Sequence, residues 1–184
     1  MLELNFNPFP VLETERLLLR QVTMDDAPDV LIMRSDINAM KYIGKPISTT
    51  LDDARDLIGR IEDGIESNNA IGWGISLKNN HRFIGTIGFH RIDTSNYRAE
   101  IGYMLLPEFW NKGVMSEAMN SVLDYGFKTL KFHSIFANID PDNLRSAAIL
   151  KKFNFVKEAY FKENFYFNGK FTDTEIYSLL NKAD

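Results

Sequence analysis

Two short stretches of this 184-residue chain hold side chains at spacings that suit chemistry. The first is Glu108-Phe109-Trp110-Asn111-Lys112-Gly113, between a strand that ends at Pro107 and a helix that starts near Val114. Such a loop aims several backbone N–H groups and the positive end of a helix at one spot, which suits a phosphate. Gly113 lets a ligand approach the backbone, Asn111 tolerates positive φ better than most residues, and Lys112 adds a positive charge. The same residues also make a tight turn ahead of an amphipathic helix. The second stretch is Asn143-Leu144-Arg145-Ser146-Ala147, joining another strand to another helix. Asn143 suits the helix cap, which leaves Ser146 in the first turn, near the carboxyl end of a strand where open α/β sheets bind ligands. A plain capping pattern uses the same residues. Neither stretch has the Gly-x-Gly-x-x-Gly of a dinucleotide site or the Gly-Lys-Ser/Thr of a Walker loop.

Other chemistries are excluded by composition. The chain has no cysteine, so disulfides, thiolate metal sites and a cysteine nucleophile are out. His81, His90 and His133 stand far apart without ligand-like spacing, so no metal is expected. The net charge of -4 argues against direct nucleic-acid binding. No apolar run nears the roughly 20 residues that cross a bilayer. The opening Met1-Leu2-Glu3-Leu4-Asn5-Phe6 is not a signal peptide, so a cytoplasmic protein without membrane contact is expected.

The elements that must position these stretches read as alternating strands and helices, with no repeat or linker. Arg16–Arg20 reads as a strand, and Asp25-Asp26 opens a helix to about Met33, its acids at the positive helix end. A second helix spans Leu51 to Glu66, capped by Ser48, Thr49 or Thr50. Ile71–Leu77 and Arg82–His90 form a hairpin, and Arg98–Leu106 follows the Ser95-Asn96 turn. From Val114 to Thr129, Met115, Met119, Val122 and Gly126 mark a buried stripe, and Glu117, Ser121, Asp124 and Lys128 a wet one. His133–Ile139 is a strand, Leu144–Lys152 a helix with Asn154 as a left-handed cap, and Asn168-Gly169 joins Val156–Phe165 to Phe171–Leu180. The order β-α-α-β-β-β-α-β-α-β-β gives one α/β domain over residues 1–184. Its sheet is mixed and mostly antiparallel, flanked by helices, with one strand-helix-strand unit at its centre.

Taken together, these stretches resemble a family. Glu100-Ile101-Gly102-Tyr103-Met104-Leu105 with Pro107 to Ala118 is similar to motif A of the GNAT acetyltransferases, in the form seen in the ribosomal-protein N-terminal acetyltransferase (RimJ/RimL-like) branch. Asn143 to Ala147 with Leu150-Lys151-Lys152-Phe153-Asn154-Phe155 resembles motif B, and Leu12 to Arg20 and Asp173 to Leu180 extend the likeness over nearly the whole chain. Asn111 stands where the family often has glycine, Met115 where it has alanine or glycine, and Asn154 where Lys-x-Gly-Phe has its glycine.

The resemblance implies acetyl-CoA as cosubstrate, with no metal. By it, the amides from Asn111 through Lys112, Gly113, Val114 and Met115 hold the pyrophosphate. The backbone of Met104, Leu105 and Leu106 pairs with the pantetheine arm, and the Asn143 side chain bonds the same arm. The Ser146 hydroxyl protonates the departing thiolate. An amine must be neutral to attack, which calls for a base. Glu100 is the first candidate, on the opposite strand face from Ile101 and Tyr103 and just before a bulged, cofactor-binding segment. Its competing role is an ion pair with Arg98 or Arg91. His90 is the second candidate, and Tyr103 reads as packing. The acceptor is an amine-bearing small molecule or a protein N-terminus. The sequence leaves the oligomeric state open, a homodimer included. The other readings are a CoA-binding sensor without catalysis and a nucleotide-phosphate module.

Overall fold

A computed structural model describes residues 1–181. The last three residues of the expected domain lie outside the described residues. Eight strands form one sheet: β1 (Leu12–Glu13), β2 (Leu17–Gln21), β3 (Ile71–Leu77), β4 (Phe83–Asp93), β5 (Arg98–Leu105), β6 (Ser134–Ile139), β7 (Val156–Phe167) and β8 (Lys170–Leu180). Their order is β1-β2-β3-β4-β5-β6-β8-β7, and every neighbouring pair is antiparallel except β5 and β6. Five helices accompany them: α1 (Ala27–Ser35), α2 (Ile37–Met40), α3 (Leu51–Glu66), α4 (Val114–Lys128) and α5 (Leu144–Lys152).

The expected elements are present, and short ones are added: β1, the single turn of α2 and a 3-10 turn at Pro107–Phe109. Local chemistry explains several boundaries. Thr50 accepts a bond from Asp53 N at 3.2 Å while the Asp53 carboxylate accepts from Thr50 N at 2.9 Å, a reciprocal cap that starts α3. Asn168 and Gly169 have φ of 48° and 81°, the left-handed pair that a two-residue hairpin turn needs. Asn154 takes φ 62° behind α5.

The sheet buries a core on each face. Met115, Met119 and Val122 of α4 pack with Trp73, Phe89, Ile101 and Ile135 on one side. Val30 and Met33 of α1 and Ile58 of α3 pack with Phe83, Met104 and Leu106 on the other. Along β5, therefore, Ile101 and Leu105 serve one core and Met104 the other, as strand alternation requires.

One feature of the sheet prepares the site. Strands β5 and β6 pair only from Arg98–Ser134 to Glu100–Phe136. Beyond Glu100, β5 stays on β4 as far as Gly85–Leu105, and β6 stays on β8 as far as Ile139–Glu175. The two halves of the sheet part there. The expected bulge at the β5 segment is corrected: its register with β4 is regular from Glu100 to Leu105, and the shift falls between His90 and Asp93, where Arg91 has φ 48°.

Candidate active site

The parting of β5 and β6 opens a cleft of about 830 Å³, lined by Tyr103 to Leu105, by Gly113 and the first turn of α4 to Ser116, and by Asn143 and the first turn of α5 to Ser146. Asn38, Tyr42 and Ile43, around α2, line it from the other face of the sheet.

Where α4 begins, unpaired backbone amides line the cleft. Gly113 caps α4 in the left-handed region at φ 75° and provides no side-chain bond. The first helical bond runs from Glu117 N to Gly113 O at 3.0 Å, so the N–H groups of Val114, Met115 and Ser116 have no acceptor within the helix. Asn111 takes φ 59°, so its side chain accommodates the turn for which glycine is otherwise used. Cations surround this end. The Lys152 ammonium reaches Ser116 Oγ at 3.1 Å, and the Arg145 guanidinium lies 4.3 Å from the Trp110 ring centroid. Arg16 binds Lys112 O at 3.2 Å and pairs with Glu117 at 2.6 Å. Burial pushes the Glu117 carboxyl up, but bonds from Thr14 and Arg16 outweigh it and hold the group below its ordinary value.

Along β5 the cleft meets an unpaired strand edge. Leu106 N donates to Ile84 O at 2.9 Å, and alternation in an antiparallel ladder then turns the backbone groups of Tyr103 and Leu105 away from β4. Leu105 O is held by Trp110 Nε1 at 2.8 Å. At the far wall, Asn143 Oδ1 caps α5 by accepting from Ser146 N at 3.2 Å. That bond leaves the Asn143 amide nitrogen for other partners. The Ser146 hydroxyl lies 2.7 Å from Tyr103 OH.

The acetyltransferase (GNAT) domain model matches residues 16–156. The chain belongs to the GNAT acetyltransferase family. An uncharacterized N-acetyltransferase of Bacillus subtilis, YoaA, is 37% identical over 96% of this chain and 99% of its own. A GNAT-family acetyltransferase structure from Bacillus anthracis superposes with a TM-score of 0.83 at 30% identity, covering 93% of this chain and 98% of that one. The ribosomal-protein-S5-alanine acetyltransferase structure from Vibrio fischeri gives 0.81 at 26% identity, covering 94% and 97%. The fold expected from the resemblance, a mixed α/β GNAT sheet flanked by helices, is the fold observed, and the protein is an acetyl-CoA-dependent acyltransferase of that family.

Within this GNAT domain, Met104, Leu105, Asn111, Gly113, Val114, Met115, Asn143 and Ser146 all line the cleft. Leu106 and Lys112 do not. The Leu106 N–H is committed to β4, so of the segment Met104 to Leu106 only Leu105 turns its polar backbone to the parting. Lys112 is exposed, its ammonium 5.7 Å from the Phe109 ring centroid.

Glu100 lies outside the cleft lining, buried to 6% exposure. It pairs with Arg91 at 2.8 Å and lies 3.4 Å from His90 Nε2, the ion-pair arrangement that competes with a role as base. The His90 ring lies over Gly102, where a Cβ would come within 2.8 Å of its Cε1. Tyr103 is more than packing: its hydroxyl faces Ser146 in the cleft, and burial pushes the phenol up to about 12 against the smaller, opposing effect of that bond. The aromatic Trp110 and the cations Arg145 and Lys152 escaped the sequence reading too. All three lie within the two motifs, where the residue pattern assigned them no role.

Proposed function

We propose that this protein moves an acetyl group from acetyl-CoA directly to a primary amine, with a protein N-terminus as acceptor. The observation that carries the reading is that one cleft joins an anion-seeking end to a pair of hydroxyls. Free amides of Val114, Met115 and Ser116, with Lys152 and Arg145 beside them, fit phosphate groups. The unpaired edge at Tyr103 and Leu105 fits an extended amide-bearing arm, and the free Asn143 nitrogen adds a donor next to it. Bound there, acetyl-CoA supplies an activated acetyl thioester.

The chain's own groups then have distinct tasks. Ser146 Oγ donates a proton to the leaving sulfur, and Tyr103 OH holds that hydroxyl in place and can return a proton to it. A tyrosine kept neutral by burial retains the proton this requires. On the opposite strand face, Glu100 and its neighbour His90 relieve the incoming ammonium of its proton, directly or through one water. The Vibrio fischeri ribosomal-protein acetyltransferase supports a protein N-terminus as acceptor. Calorimetric titration with acetyl-CoA, CoA and ATP, followed by a screen of amines for thiol release, tests the proposal. A folded protein that binds ATP but not acetyl-CoA would refute it. One that binds acetyl-CoA yet releases no thiol with any amine is a sensor.

A further inference from the structure

Arg34 carries a charge where its helix calls for an apolar side chain. Ala27, Val30 and Arg34 recur at i, i+3 and i+7 on α1, so Arg34 continues the stripe that packs toward the sheet. Its Nη1 lies 4.0 Å from the sulfur of Met104, a residue of the cleft lining. Its helix runs, within one turn, into Asn38 and Ala39, which also line the cleft. Arg16 pairs with Glu117, Arg20 with Asp26 and Arg91 with Glu100, while Arg145 of the cleft lies over the Trp110 ring. Among the described residues no carboxylate pairs with Arg34. Its Nε is buried with no hydrogen-bond partner. Burial, and then the like charge of Arg60, pull the guanidinium below its ordinary value.

A half-buried guanidinium without an anion destabilises the fold that holds it. A partner anion brought by a ligand removes that penalty. The cosubstrate's phosphates do not provide it, because their amides lie at Val114 to Ser116 on the α4 face, whereas Met104 packs with α1 on the other. We propose that Arg34 is a subsite for a carboxylate of the acceptor, so that the preferred acceptor has an acid group close to its amine. A planar guanidinium suits a carboxylate because two parallel N–H bonds fix its orientation. A free α-amino acid and a peptide that begins with Asp or Glu share this chemistry. The inference rests on the acetyltransferase reading above.

The experiment compares wild type with Arg34→Met and Arg34→Lys, using L-alanine against L-alaninamide and Asp-Ala-Ala-Ala against Asn-Ala-Ala-Ala. Calorimetry with acetyl-CoA comes first, and failure to bind it in the wild type refutes the acetyltransferase reading rather than the subsite. With binding established, the expected result is a wild-type kcat/KM about tenfold or more higher for the acidic member of one pair, the effect of one charge-assisted bond. Which pair shows it separates amino acid from N-terminus. In Arg34→Met the preference disappears, the acetyl-CoA affinity stays as in wild type and the melting temperature does not fall. Arg34→Lys keeps part of the preference. The proposal is overturned if wild type ignores the acid group, if no probe is acetylated, or if the preference survives in Arg34→Met. A methionine variant that melts much lower and treats all acceptors equally poorly overturns it as well, because Arg34 is then structural.

Discussion

The hydroxyls of Tyr103 and Ser146 stand 2.7 Å apart across the cleft, although 43 residues separate them in the chain. One comes from β5 and the other from the first turn of α5, so the bond crosses the gap where the sheet parts. Because a serine hydroxyl is a weak acid on its own, a neighbour that can replace its proton matters to what it can do.

Ser146→Ala and Tyr103→Phe should each lower kcat while leaving the acetyl-CoA affinity nearly unchanged, since Ser146 is proposed to act on the departing sulfur and Tyr103 through Ser146. The expected loss is about 10²-fold for Ser146→Ala and smaller for Tyr103→Phe, within the range of proton-transfer effects. The double variant should be no slower than Ser146→Ala alone, because Tyr103 acts through Ser146. Steady-state kinetics and calorimetry check this, and additive losses would separate the two roles.

The anion end predicts a salt-dependent effect. Lys152→Ala should weaken CoA binding by about tenfold in low salt, the scale of one charge-assisted contact. The difference from wild type should shrink in high salt, because an exposed charge is screened. Titrations at two ionic strengths measure it, and a salt-independent loss would mean that Lys152 acts through packing.

Much of this was legible in the sequence, and the exceptions share a cause. The strongly periodic α3 and α4 and the Asn168-Gly169 hairpin are local signals, and the structure has them where the pattern puts them. β1 and α2 are too short to show any period. The cleft residues of both motifs were visible as a loop before a helix. The pairing of Tyr103 with Ser146 was not, since only tertiary packing brings the residues together. Glu100 was visible as a strand residue flanked by arginines, but alternation alone does not say which of them it meets. Arg34 lies past the expected helix end near Met33, and its lack of a carboxylate is a property of the fold.

Glu100 provides the sharpest kinetic test. Glu100→Gln should reduce turnover by about 10²-fold, with the loss shrinking at high pH where the amine deprotonates unaided. Rate–pH profiles of wild type and variant decide between base and scaffold. Parallel profiles with a lower melting temperature would assign Glu100 wholly to its pairing with Arg91.

Away from the cleft, Asp26 ties β2 to the start of α1. Its carboxylate takes two bonds from Arg20, at 2.8 and 2.6 Å, and one from Thr23 N at 2.9 Å. Burial works to raise this carboxyl, yet the Arg20 and Thr23 bonds prevail and hold it below the ordinary value. Asp26→Asn should cost about 3 kcal/mol at neutral pH, as an enclosed pair does when one charge is removed. That is about 6–12 °C in melting temperature for a chain of this size. A group whose pKa is depressed by folding stabilises above its unfolded value and loses that effect as pH falls through the folded one. The wild-type advantage should therefore fade as the pH drops below about 4. Melting curves across acidic pH show whether it does.

The short ladder between β5 and β6 has a mechanical consequence. Strands β1 to β5 and strands β6, β8 and β7 are two blades that share a seam of three residue pairs at one end. A molecule lying in the gap touches both blades beyond the seam and so splints them. The same occupant that is positioned for reaction also fixes the angle between the blades, and the distance between Tyr103 on one blade and Ser146 beside the other depends on that angle.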